Sequence, residues 1–245
     1  MQTLSASAVM HIWEVGARQH PIDRALTMLS ALFPGWSRHD LALLSIGQRD
    51  GHLLTLREQL FGTHLLVLAT CPVCAERVEF GLQTADIRTP LAPDGQQPVF
   101  ELVVDAFTIQ CRLPNSTDLA AIVHCDTVEQ ARRLLEQRCV LEVRHGEEVV
   151  SEAALPEQWR EHLAARLREY DPQAEILFNL QCPACEHSWQ MLFDIGAFLW
   201  EEIGAQARRL LRDVHTLARC YGWREADILA LSQTRRQWYL ELARQ

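Results

Sequence analysis

Lysine is absent. All 23 basic residues are arginine, which removes a lysine nucleophile, a Schiff base and the lysine of a phosphate loop from consideration. Other absences narrow the field. The chain has no HExxH, no Gly-rich phosphate loop and no GxSxG elbow, so familiar signatures of metalloprotease, nucleotide-binding and serine-hydrolase chemistry are missing. Apolar runs are short. LLVLAT at 65–70 is among the longest, and a membrane helix needs about 20 such residues. The opening MQTLSASAVMHIWEVG has no basic region followed by an apolar stretch, so no secretory signal is expected. The expected setting is the cytoplasm of a bacterial-type cell, where paired cysteines lean toward metal rather than disulfide.

What is present suits a protein with a real core. The 245 residues are 48% hydrophobic, enough for one large domain or two small ones. A formal net charge of -9 argues against non-specific nucleic-acid binding by the whole molecule. No small-molecule site is apparent. The acidic residues are scattered, and the adjacent His124 and Cys125 need not bring their side chains together, so an enzyme is not expected.

Hydrophobic periodicity predicts an α+β fold. Helices are expected over 23–33 and over 51–62, where Gly62 is a stop and Asp40 caps the stretch before it. Strands are expected over 64–71 and 77–83, with a turn-rich stretch at 84–98 and a hairpin within 99–114. NSTDLAAIV then starts a capped helix. Thr127 caps a helix over 127–140 with Val128, Ala131, Leu134 and Leu135 inward, and another helix runs from about Pro156 with Trp159, Leu163, Leu167 and Tyr170 in one stripe. Strands at 175–182 and 188–195 lead to a long helix over 195–223. Asp194 caps that helix, Glu201 and Glu202 face solvent, and Gly222 ends it. A short helix at 224–231 and a last one after Ser232 complete the chain.

One motif occurs twice. CPVC at 71–74 and CPAC at 182–185 each lie between two predicted strands, which is the zinc-knuckle pattern. Each tight turn presents two thiolates, so together Cys71, Cys74, Cys182 and Cys185 form a closed four-thiolate set suited to a structural Zn2+. The alternatives are two reduced, metal-free pairs, two disulfides, or a redox CxxC, which would want a helix directly after the motif. His187 could replace a thiolate but reads better as a surface or second-layer residue. Cys111, Cys125, Cys139 and Cys220 read as small core or half-buried residues. The resulting organisation is an N-terminal helical segment (1–62), a zinc-ribbon-like body in two halves (63–83 and 175–194), an inserted α/β region (84–174) and a helical C-terminal region (195–245).

The C-terminal unit departs from the acidic whole. Residues 205–245 hold eight Arg against Asp213, Glu225, Asp227 and Glu241. A short helix, a Ser-capped turn and a further helix have the outline of a helix-turn-helix, so a nucleic-acid-binding regulator is the alternative reading. Against it stand the apolar anchors Trp238, Tyr239 and Leu240 and the acidity of the rest of the chain.

The run FDIGAFLWEEIGAQARRLLRDVHTLARCYGWREADILALSQTRRQWYLELA (193–243) closely resembles the C-terminal signature of small baseplate proteins of contractile phage tails, including T4-type baseplate hub assembly chaperones. Similar proteins accompany phage-like contractile injection systems. The resemblance is carried by Tyr221, Gly222, Trp223, Glu225, Ile228, Leu229, Arg235, Arg236, Tyr239 and Leu240, and more loosely by the paired CPxC turns and REQLFG at 57–62. Family members often have Gly after the second Cys of each knuckle, where this chain has Ala75 and Glu186. The resemblance implies a non-enzymatic role in building the hub or baseplate, with hub or other tail proteins as partners and no membrane. Trp223, Arg235, Arg236, Trp238 and Tyr239 are then the expected partner-binding residues. The alternative is that they only pack the tail against its own domain.

Overall fold

The structure, a computed structural model, describes residues 4–89, 99–156 and 158–243. Much of the predicted turn-rich stretch at 84–98 lies outside these residues. Four helices open the fold: α1 (Ala6–Gly16), α2 (Pro21–Leu32), α3 (Arg38–Leu43) and α4 (Ile46–Phe61). α1 is not among the expected helices. Its Ser5 cap accepts the Ala8 N–H, and Val9, Ile12 and Gly16 are buried on one side. Gly16 is there for space, because a Cβ would come within 2.5 Å of the Trp200 ring. Asp40 is not the cap of α3. Ser37 is, and Asp40 closes its capping box from within the helix. A second such box, Ser45 with Gln48, starts α4 earlier than the expected residue 51, and Gly62 ends it at φ 84.

Next come β1 (His64–Thr70), β2 (Arg77–Gln83) and a short α5 (Thr84–Ile87). β1 and β2 form a two-stranded antiparallel ribbon, with Leu65 opposite Leu82 and Val67 opposite Phe80. Leu65, Val67 and Ala69 turn inward by strict alternation. The second ribbon, β7 (Ile176–Gln181) with β8 (Ser188–Phe193), comes more than ninety residues later. α9 (Ile195–Tyr221) follows it directly, with the Asp194 carboxylate accepting the Ala197 N–H at 3.0 Å.

One hydrophobic cluster joins these separated pieces. Met28, Leu29, Leu53 and Leu56 of the first helices meet Leu65 and Val67 of the first ribbon, Phe193 of the second, and Leu199, Ile203 and Leu210 of α9. The α4–α9 contact also holds an ion pair: buried Arg57 grips Glu202 at 2.8 and 3.0 Å. Glu202 is therefore not the solvent-facing residue expected from sequence. Its partner is distant in the chain, so no local pattern marks it.

Between the ribbons, β3 (Val99–Val104), β4 (Phe107–Arg112), β5 (Val140–His145) and β6 (Glu148–Val149) make a four-stranded antiparallel sheet in that order. The predicted VDAF turn is present, with Asp105 at φ 54. α6 (Ser116–Ile122) and α7 (Val128–Cys139) connect β4 to β5, and α8 (Trp159–Tyr170) lays Trp159 and Leu163 on the sheet. α7 runs straight into β5, a strand hidden in the sequence by the absence of any turn signal. Val128 does not face inward; it is 87% exposed. The buried side of α7 carries Cys139 and Glu136 instead, and the Glu136 carboxylate is neutralised by Arg132 at 2.8 Å and Arg160 at 3.1 Å. The segment between the ribbons is tied back to the first helices. Asp171 accepts the Gly47 N–H at 2.9 Å, so close that a Cβ on Gly47 would fall 1.8 Å from the carboxylate.

Gly222 takes the left-handed conformation at φ 67 and stops α9. α10 (Glu225–Ala230) turns back, and α11 (Gln233–Leu242) then runs alongside α9 in the same direction. That direction follows from paired contacts that advance together: Arg236 to Asp213, then Cys220 to the Ala243 carbonyl. Leu217, Ile228 and Leu240 form the small core between the three helices. Among the described residues no helix is long and apolar enough to cross a membrane.

Candidate metal centre

Each ribbon ends in the same turn. In the first, the Cys71 N–H donates to the Glu76 carbonyl at 2.8 Å and the Ala75 N–H donates to the Cys71 carbonyl at 3.0 Å. In the second, Cys182 and Glu186 make the equivalent bonds, to the His187 carbonyl at 2.9 Å and the Cys182 carbonyl at 3.0 Å. Both turns need a left-handed residue after the second cysteine. Ala75 and Glu186 adopt it at φ 61 and 57, where glycine would sit without strain. This is the turn that strand–CPxC–strand predicts.

The two tips meet. The four Sγ atoms of Cys71, Cys74, Cys182 and Cys185 all lie within 4.8 Å of one another. Cys71 is 3.6 Å from Cys185, and Cys74 is 3.5 Å from Cys182. A tetrahedral zinc with about 2.3 Å bonds to sulfur has edges of about 3.8 Å, so the spacing fits the ion. The donor set, two thiols from each ribbon, supplies four ligands and no open position. An ion held here would serve architecture rather than catalysis.

The electrostatics single out one thiol of the cluster, Cys71, for ionisation. Burial works to raise the Cys71 thiol, but the backbone N–H groups of Cys74 and Val73 and the neighbouring thiols outweigh it, drawing Cys71 down to about 7. At Cys74 the Glu76 N–H pulls downward, yet the thiols of Cys185 and Cys182 and burial push it up to about 12. At Cys185 the His187 N–H and the Cys74 thiol also pull downward, but burial and the Cys182 and Cys71 thiols prevail and raise it. A divalent cation would need all four groups as thiolates, so binding it would release protons.

His187 stands outside the four-thiol group. It is exposed, with its ring stacked on Trp189 at a centroid distance of 6.3 Å. Cys111 and Cys139 are core residues whose thiols burial pushes up to about 12. Cys125 is half-buried and Cys220 exposed. Phenylalanines relay the centre into the helical core: Phe80 meets Phe178 across the two ribbons at 5.4 Å, Phe178 meets Phe193, and Phe193 meets Phe198 of α9. Phe198 in turn lies under the Arg57 guanidinium at 6.0 Å. The periodicity of single strands and helices does not reveal this relay, because every step crosses between elements.

The residues expected to bind partners fall into three settings. Trp238 is 63% exposed on the outer side of α11, and Arg235, one turn before it, is exposed as well. Trp223 and Tyr239 are half-buried, packed edge to face at 4.8 Å, with Tyr221 stacked on Trp223. Arg236 is only 4% exposed. Its Nε donates to the Asp213 carboxylate at 3.1 Å, which fastens α11 to α9.

Among curated proteins and among solved structures, none matches the chain significantly. A protein family described as T4 bacteriophage base plate protein matches residues 22–200. The matched span takes in both knuckles, the segment between them and the start of α9, and stops short of most of the tail whose signature suggested the kinship. With nearly three quarters of its length matched, the chain belongs to the T4 bacteriophage base plate protein family.

Proposed function

We propose that this chain is a non-catalytic component or assembly factor of a contractile-tail baseplate, in a phage or a phage-like injection system. It works by protein–protein contact, and a structural zinc staples its body. The family match over 22–200 carries this reading. In it, Cys71, Cys74, Cys182 and Cys185 hold the ion, residues 63–83 and 175–194 act as one zinc-ribbon-like body, and 84–174 is an insertion between its halves. The hub-facing surface is the tail, 195–245. Trp238 and Arg235 of α11 are its exposed anchors, aromatic and guanidinium groups of the kind that dominate binding energy at interfaces. Trp223, Tyr239 and Arg236 hold those anchors in place.

Two measurements test this. Protein purified under reducing conditions should contain one zinc per chain by elemental analysis; a metal-free folded protein would overturn the staple. A Trp238→Ala/Arg235→Ala variant should keep its zinc and its thermal transition yet lose capture of a hub component. Capture at parental strength would move the partner surface elsewhere. Retention of duplex DNA by the parent, with no tail protein captured, would favour the helix-turn-helix regulator.

A further inference from the structure

From Arg38 onward the arginines divide into two populations. Among the described residues, each one from Arg38 to Arg168 other than Arg77 holds an ion pair with an acidic side chain. Among those of the tail only Arg236 does. Three of the unpaired tail arginines fall on one line. Arg208, Arg212 and Arg219 of α9, joined by His215, follow each other at steps of four, three and four residues, which is one face of a helix. All four are exposed. The buried apolar residues of the same stretch, Ile203, Ala207, Leu210 and Leu217, occupy another side of α9.

The stripe costs the free chain stability. Like charges four apart on a helix repel. The helix dipole compensates a cation only within the last turn, which reaches Arg219 but not Arg208 or Arg212. Apolar surface lies within the same region: Leu211 of α9 is exposed. A surface of unpaired guanidinium groups with an exposed leucine beside it suits a protein partner, since guanidinium forks grip carboxylates and the leucine gains from burial. A polyanion such as DNA would meet only the charge and leave Leu211 without an apolar partner.

Resting on the assembly reading above, we propose that the Arg208–Arg212–His215–Arg219 face of α9 is a docking strip for an acidic helix of a partner protein. The partner helix presents carboxylates at the matching spacing of four, three and four residues. It lies along α9 and pairs with the guanidinium groups that the chain itself leaves without acids.

The test uses the full chain and three probes in low salt, read by fluorescence anisotropy. The first probe is a synthetic helical peptide with Glu at that spacing. The second is an isomer of identical composition with its acids spread around the helix, and the third is a duplex oligonucleotide. The striped peptide should bind at least about tenfold more tightly than its isomer, and should weaken steeply as salt rises. Arg208→Glu/Arg212→Glu/Arg219→Glu should lower that affinity at least tenfold while keeping its thermal transition. The corresponding Gln triple variant carries the same test if the Glu variant fails to fold. Equal binding of the two peptides, or variants that bind as the parent does, would overturn the site. Tighter binding of the duplex would overturn the class of partner. None of these outcomes depends on a baseplate role, which the capture experiment tests separately.

Discussion

At the scale of single residues, the knuckles show what a short motif fixes and what it leaves strained. CPVC and CPAC are legible as paired turns because two thiols at that spacing between strands have few other uses where thiols stay reduced. The departure from the family habit of glycine is legible too, and it has a visible consequence. Ala75 and Glu186 sit at φ 61 and 57, a conformation that costs an L-residue about 1–2 kcal/mol. Ala75→Gly and Glu186→Gly should therefore each raise stability, by about 0.5–1 kcal/mol once the added freedom of glycine in the unfolded chain is subtracted. Thermal denaturation of each single variant at fixed zinc would check this, and a lowered midpoint would refute it. The Glu202–Arg57 pair is not legible, since its two members lie 145 residues apart.

At the scale of elements, α9 and its cap are the most readable part of the chain, because apolar residues recur along it at helical spacing and Gly222 ends it. α1 carries a usable signal in Ser5, Val9 and Ile12, but it is short. β5 has none, because it continues α7 without a turn. How α11 docks is also hidden. The pair that fastens it, Arg236 with Asp213, is buried on both sides, and a buried pair leaves a costly orphan when one member is removed. Arg236→Ala should destabilise the docked state of α10 and α11 by about 3–5 kcal/mol. Hydrogen exchange would then accelerate across 225–242 while α2 and α4 keep their protection. Uniform acceleration throughout the chain would show that the tail is not a separate cooperative unit.

At the scale of the whole molecule, two supports act in parallel: a hydrophobic cluster shared by helices from both ends of the chain and a four-thiol junction between the ribbons. Small zinc fingers draw about 10–16 kcal/mol from their metal and unfold without it. Here the hydrophobic cluster is built without the four thiols. Chelation, or Cys71→Ser with Cys185→Ser, should therefore lower the thermal midpoint and expose Phe80 and Phe178 to a hydrophobic dye. Most of the far-UV helical signal should persist. Complete loss of that signal would place the stability in the metal, and an unchanged midpoint would remove the metal from the stability altogether.

The thiols of Cys74 and Cys182 stand 108 positions apart. On a ribosome adding about 5–20 residues per second, the first hairpin waits roughly 5–20 seconds for the second. During that interval it exposes two of the four thiols to solvent, open to capture by stray metal or by oxidants. Closure thus certifies that translation has passed Cys185, and a chain truncated before the second hairpin could never complete the clasp.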